Sequence, residues 1–370
     1  MAVYKLYPDK DAFLLTENVT ANTGLDEIVE IGGYPNLGIG QTSRTLIKFD
    51  TQKIGQIITE NNVNKFSASL KLNLADTYET PTTHSVFCYP VYQSWDEGIG
   101  KFGDNPIDTS GVSWKYTKSG ETTLWDLPAN STVLPTGVTG SHNDTYVGGG
   151  NWYTELGGVN LESEQSFKTK DNLDIDLDVT TQIEYFLDGT LTNNGFILKL
   201  DDSLEFSTDR VFMIKYFSSD TNTIFPPELQ IKWDDSDYQE TGTLLDSPEV
   251  VIEVSNNVGE YKDDGKYRFR LHTRPRFPTR QFSTTSIYKT NYRLPENSYY
   301  AIKDEHTEEM IIDFDTTFTK ISNDTNGPYF DLYMNGLQPE RFYRILVKTE
   351  IDGNTVTLSD KSTFKVVRNV

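Results

Sequence analysis

Apolar and polar positions alternate with period two along most of this chain. The runs TLIKFD (45–50), FSASLKLNL (66–74), SVFCYPVY (85–92), LDIDLDVT (173–180), GFILKL (195–200), VFMIKYF (211–217) and ELQIKW (228–233) each read as a strand between polar turn clusters. Such spacing favours an antiparallel sandwich over parallel α/β units. One stretch breaks the rhythm. VTTQIEYFLDGT (179–190) predicts a short helix capped by Thr180 or Thr181, with Ile183 and Phe186 or Leu187 turned inward and a stop at Gly189.

Residues 98–166 carry no comparable alternation. They are rich in Gly, Thr, Ser and Asn, with isolated aromatics at Trp114, Tyr116, Trp125, Tyr146, Trp152 and Tyr153. A loop of that length inside a compact domain needs a reason to exist, which makes it the first place to expect an interaction surface. The texture changes again over KWDDSDYQETGTLLDSPEV (232–250), which predicts a domain boundary, with one domain over 1–238 and a second over 246–370. Beyond it come YRFRLHTR (267–274), SYYAIKD (298–304), MIIDFD (310–315), YFDLYMNGL (329–337), RFYRILVKTEIDG (341–353) and STFKVV (362–367). About seven short strands in about 120 residues is an immunoglobulin-like pattern.

Composition sharpens this reading. The 370 residues include 21 Tyr and 20 Phe, a vocabulary of strands rather than long helices. The formal charge of -22 argues against nucleic acid and anionic lipid as partners. It is also uneven: residues 1–245 hold 16 Lys and Arg against 36 Asp and Glu, whereas residues 246–370 hold 17 against 19. The single cysteine, Cys88, lies in an apolar run and predicts a buried, inert thiol. No signal-peptide pattern and no run of 18 apolar residues occurs, so the chain is expected to fold in a cytoplasm, with no membrane partner.

Two resemblances follow from the motifs in order. DAFLL (11–15), SRTLIKFD (43–50), SASLKLNL (67–74), SWDEG (94–98), GVSWKY (111–116), LDVTTQI (177–183), NNGFILK (193–199) and YFSSDTNTIFPPELQIKW (216–233) together resemble the DNRLRE-type jelly-roll domain, a β-sandwich related to carbohydrate-binding modules. NGLQPERFYRILVK (335–348) resembles the fibronectin type III pattern, which implies that the Tyr343 hydroxyl returns to the backbone a few residues upstream. The expected architecture is therefore all-β, an N-terminal jelly-roll sandwich followed by an immunoglobulin-like sandwich. Such modules occur in the virions of tailed bacteriophages. The resemblance implies a structural virion component of the neck, tail or baseplate, whose partners are copies of itself and other virion proteins. A carbohydrate-binding module for host adsorption is the alternative, and a polysaccharide-degrading enzyme the third.

Candidate chemistry is sparse. Asp96 and Glu97 invite comparison with a paired-acid glycosidase site, but adjacent residues on an extended segment point to opposite faces, so a second acid would have to come from elsewhere. The resemblance implies instead that Glu97 satisfies backbone donors of the following glycine loop while Trp95 covers the core edge. Asp174, Asp176 and Asp178 share one strand face and are weak candidates for a hard cation, against a plain solvated face. The histidines show no zinc or triad spacing, so neither cofactor nor catalytic set is expected. Trp114, Trp125, Trp152 and Tyr153 are candidates for a protein interface or sugar platform, against simple packing under the loop. Arg268, Arg270, Arg274, Arg276 and Arg280, leading into the basic arm 274–295, are candidates for pairing with the acidic half of a neighbouring copy, against a solvated strand edge.

Overall fold

In a computed structural model the chain is all-β. The structure describes residues 2–36, 39–60, 63, 65–79, 83–118, 120, 122–127, 132–140, 146–168, 170–208, 212–233, 238–247, 249–280, 282, 284, 286–351 and 353–369. Among the histidines His142, and within the stretches quoted above Val211, residues 234–237, Pro248, residues 281, 283 and 285 and Asp352, lie outside them.

Two sheets form the first half. One orders its strands Ala2–Leu6, Glu228–Trp233, Phe66–Leu72 and Ile175–Asp178. The other runs Ser163–Lys168, Thr83–Pro90, Phe196–Leu200, Ile39–Lys48, Ile28–Asn36, Phe212–Phe217 and Leu74–Tyr78, with Lys10–Leu15 also paired to Ile39–Lys48. The second half has a four-stranded sheet, Val250–Val254, Lys266–Pro275, Gly327–Tyr333 and Ser322–Asp324, and a six-stranded one built on Phe342–Ile351. Tertiary contacts divide the molecule into two compact units. One comprises residues 6–59 and 67–230; the other joins residues 1–5 and 60–66 to 231–370.

In the first unit, two strands explain the long loop. Phe196–Leu200 is buried at every position, and Lys10–Leu15 at all but its first. Successive residues of a strand face opposite sides, so these strands are covered on both faces, whereas the period-two reading of GFILKL expected one solvated face. Ala12, Leu14, Leu46 and Ile197 pack into one cluster with Trp95, Trp114, Trp125 and Trp152. Their neighbours Phe13, Leu15, Ile47, Phe196 and Leu198 are buried on the opposite face. The segments carrying Trp95, Trp114, Trp125 and Trp152 thus roof the sheet's second face. The roof contains short strands, Val138–Gly140 and Asn151–Tyr153, that the sequence pattern does not announce.

A buried ion pair sits under this roof. Arg44, wholly buried, donates from Nε and Nη2 to Glu205 at 2.8 and 2.7 Å and from Nη1 to the Gly149 carbonyl at 2.6 Å. Its guanidinium lies 5.0 Å from the Trp114 ring and 5.1 Å from that of Trp152, and Lys199 Nζ reaches Glu205 at 3.3 Å. Gly149 has φ of +79°, and a Cβ there would come within 2.5 Å of the Trp114 ring and 2.8 Å of Arg44 Nη1. The GGG run of VGGGNW therefore serves close packing around the arginine.

The helix expected near 180 forms over Thr180–Leu187, with Ile183 and Phe186 inward and Gly189 at φ +78°. Its start differs from expectation: Val179 holds the N-cap position without a side-chain cap bond, and Asp178 Oδ1, one residue earlier, accepts both the Thr180 amide at 2.9 Å and the Thr180 hydroxyl at 2.6 Å. A second helix, Gln52–Glu60, goes unannounced by the apolar pattern, because Ile54 is the residue of it that is buried. At its start Asp50 Oδ1 accepts the Gln52 amide at 2.9 Å.

In the second unit, Phe269, Leu271, Tyr300, Ile302, Phe330 and Phe364 form the centre of one core. Glu260–Lys262 and Thr363–Val367 pair parallel, and isolated parallel bridges join Glu240 to Asn323 and Leu244 to Arg293. The Tyr343 hydroxyl donates to the Gln338 carbonyl at 3.0 Å, the return to the backbone that the local sequence pattern implies. Tyr343→Phe is expected to cost about 1 kcal/mol, read as a lower urea midpoint with unchanged slope, because the carbonyl loses its buried partner.

Candidate functional site

SWDEG folds as the mouth of the roof. Trp95 is buried, and its indole N–H donates to the Asn194 carbonyl at 2.8 Å. Gly98 takes φ of +85° because the carboxamide of Asn22 occupies the space its Cβ would need. It is Asn22, not Glu97, that satisfies this glycine loop: Asn22 Nδ2 donates to the Val112 carbonyl at 2.8 Å, and Oδ1 accepts the Gly100 amide at 2.8 Å. Glu97 does other work.

Its Oε1 accepts the amide of Asp11 at 3.0 Å. One carboxylate oxygen from each of Asp11, Glu97 and Asp220 lies within 4.8 Å of the other two, so a second acid does arrive from elsewhere, and a third with it. Asp11 is only 1% exposed. Its Oδ2 accepts the Ser219 amide at 2.6 Å, and its Oδ1 has no partner among the described residues. Burial pushes the Asp11 carboxyl up to about 7, with Glu97 and Asp220 adding repulsion. Burial also raises Glu97 and Asp220. Lys10 donates to the Trp95 carbonyl and lies 4.1 Å from the Trp95 ring centroid, and its charge favours the ionised form of Glu97.

The strand aspartates do not form such a group. Asp174 accepts the Leu74 amide at 2.7 Å, Asp176 faces Lys71 at 3.3 Å, and Asp178 accepts the Thr180 amide at 2.9 Å. Each has its own partner. Trp114, Trp125 and Trp152 are likewise withdrawn from any partner surface, since all three are core residues of the roof. Tyr153 is half-buried, edge-on to Tyr92 at 5.5 Å.

The arginines separate into two sets. Arg268 grips Asp331 through Nε and Nη2 at 2.7 and 2.9 Å, and Arg270 grips Asp324 through both terminal nitrogens at 2.9 Å. Arg268 joins neighbouring strands and Arg270 reaches across Gly327–Tyr333 to the next strand of the same sheet, so these two arginines are spent within their own molecule. Arg274 lies over the Tyr288 ring at 5.1 Å. The arm also folds back on its own strand: the Thr273 amide donates to Asn291 Oδ1 at 2.8 Å and the Tyr292 amide to the Thr273 carbonyl at 2.9 Å. Its tip is different. Phe277 is 76% exposed and Phe282 fully so, beside exposed Arg276 and Arg280. Arg276 is 3.9 Å from exposed Glu249, and Arg280 has no ion-pair partner among the described residues.

A shallow cleft of about 220 Å³ opens next to the roof's mouth, lined among others by Glu17, Asn18, Lys101, Phe102, Asp104 and Asp108. Phe102 is 55% exposed.

No protein-family model matches the chain, and no curated protein matches it. Among solved structures, a DUF4785 family protein from Legionella pneumophila is similar over 99% of this chain at 10% identity, with a TM-score of 0.17. The chain spans 62% of that protein's length. A likeness at that score carries no argument about fold or function.

Proposed function

We propose that this chain is a structural component of a tailed bacteriophage virion, in its neck, tail or baseplate, and that it acts by association with copies of itself and with other virion proteins. The tip of the basic arm is the observation that carries this reading. Phe277 and Phe282 expose two rings on one short segment, between arginines. Uncovered aromatics grouped in this way mark a surface that a partner covers. The flanking guanidiniums select an acidic partner, and residues 1–245 of a second copy carry 36 acidic against 16 basic residues. Heterologous contacts of this kind close into rings or collars when the rotation allows. The ordered motifs resembling DNRLRE-type and fibronectin-like modules add support from sequence.

The assignment to a particle is tested by probing purified tailed-phage particles with an antibody against this chain. Label at the neck or tail supports it; particles free of both label and peptides of this chain overturn it.

A second reading, glycan binding, draws on the cleft beside the roof, where exposed Phe102 stands among carboxylates and an amide suited to sugar hydroxyls. The buried tryptophans cannot stack on a sugar, so this reading rests on Phe102. Phe102→Ala is expected to abolish any signal on a glycan array; a signal that survives the change sinks the reading.

A further inference from the structure

We propose that Asp11, Glu97 and Asp220 bind a divalent cation, calcium in preference to magnesium. The three residues come from distant parts of the sequence and converge through the fold: Asp11 from the strand Lys10–Leu15, Glu97 from the mouth of the roof, and Asp220 from the turn after Phe217. All donors are carboxylate oxygens, without His or Cys, a set that suits a hard cation and not zinc. Calcium holds its oxygens at roughly 2.4 Å, so oxygens of one shell lie at most about twice that apart, and the three here fall within 4.8 Å. Magnesium keeps several waters and is held through one or two carboxylates, so three converging carboxylates suit calcium better.

Acidic clusters are common without an ion; the second observation here is the state of Asp11. It is a carboxylate 1% exposed, with one oxygen fixed by the Ser219 amide and the other, Oδ1, lacking any partner among the described residues. A buried acceptor left unpaired costs about 1–3 kcal/mol, more for a charged one, and such groups recur where an ion or water belongs. No side-chain cation among the described residues fills the role. Lys10 is committed to the Trp95 carbonyl and ring, and Lys101 acts on Asp220 rather than on Asp11. Asp220 is exposed, which gives an ion a path in and leaves room for water in the remaining coordination positions. The bound ion would tie the first strand, the mouth of the roof and the turn at 218–220 together, fixing where the long loop departs from the sheet.

The test uses the full chain, stripped with EGTA and returned to buffer with CaCl2 or MgCl2. In 1 mM CaCl2 the unfolding midpoint is expected to rise by about 5 °C, with one calcium bound per chain in equilibrium dialysis against labelled calcium. Asp220→Asn, at the exposed rim, is expected to keep the fold and weaken calcium binding at least roughly tenfold. Asp11→Asn, which retains an acceptor for the Ser219 amide, is expected to lose the calcium-dependent rise altogether. A wild-type chain that neither rises in midpoint nor retains calcium overturns the proposal. So do both variants binding as wild type does, and an equal rise in MgCl2 overturns the preference for calcium.

Discussion

Glu205→Ala is expected to destabilise the first unit by about 3–5 kcal/mol, lowering its thermal midpoint by on the order of 10 °C. Arg44 is wholly buried between the rings of Trp114 and Trp152, and Glu205 supplies both of its charge-assisted hydrogen bonds as well as an ion-pair partner for Lys199. Removing the carboxylate leaves a guanidinium in a low-dielectric site with only the Gly149 carbonyl to answer it. Lys199 fares better, since Asp202 remains at 2.6 Å. The double change Arg44→Met with Glu205→Leu removes both charges and is expected to recover most of the loss, because a buried pair and an apolar filling of similar volume are close in free energy. Paired melting curves of the single and double variants decide this. A double variant no more stable than Glu205→Ala alone would mean that the cost does not lie in an orphaned charge.

The second large effect concerns assembly. Phe277→Ser with Phe282→Ser is expected to weaken self-association roughly 1,000-fold, since each buried ring contributes about 2 kcal/mol. Both rings are exposed in the isolated chain, so the fold has nothing to lose by their removal. Arg276→Glu with Arg280→Glu is expected to weaken association less and to remove its dependence on salt, as rim charges act mainly on encounter. Arg268 and Arg270 serve as the internal contrast: each is held by an aspartate of its own sheet, so changing them alters the stability of the second unit before it alters assembly.

How far the amino-acid pattern encodes these features differs from one to the next. Strand positions follow from period-two alternation, and the backbone return of Tyr343 from its spacing after Leu337 and Pro339. The roof has no such signature, because its tryptophans are scattered through Gly- and Ser-rich segments whose order comes from Asn22 and the positive-φ glycines, not from any repeating pattern. An indirect clue to it exists. DAFLL lacks alternation, and a strand covered on both faces needs a cover that the long loop could supply. The acidic cluster is hidden for a different reason: Asp11, Glu97 and Asp220 are separated by scores of residues, and only the folded sheet brings them together. The one local signal is Asp11 itself, a lone carboxylate opening an otherwise apolar buried run. The more conspicuous aspartates at 174, 176 and 178 each have a separate partner.

Association through the arm is the central claim, and sedimentation velocity of the wild-type chain over a concentration series tests it most directly. A chain of 42.1 kDa that sediments as a discrete oligomer by roughly 100 µM, a range where even weak specific interfaces are populated, and returns to monomer when Phe277 and Phe282 are both serine, is the expected result. A wild-type chain that remains monomeric throughout the series would contradict it.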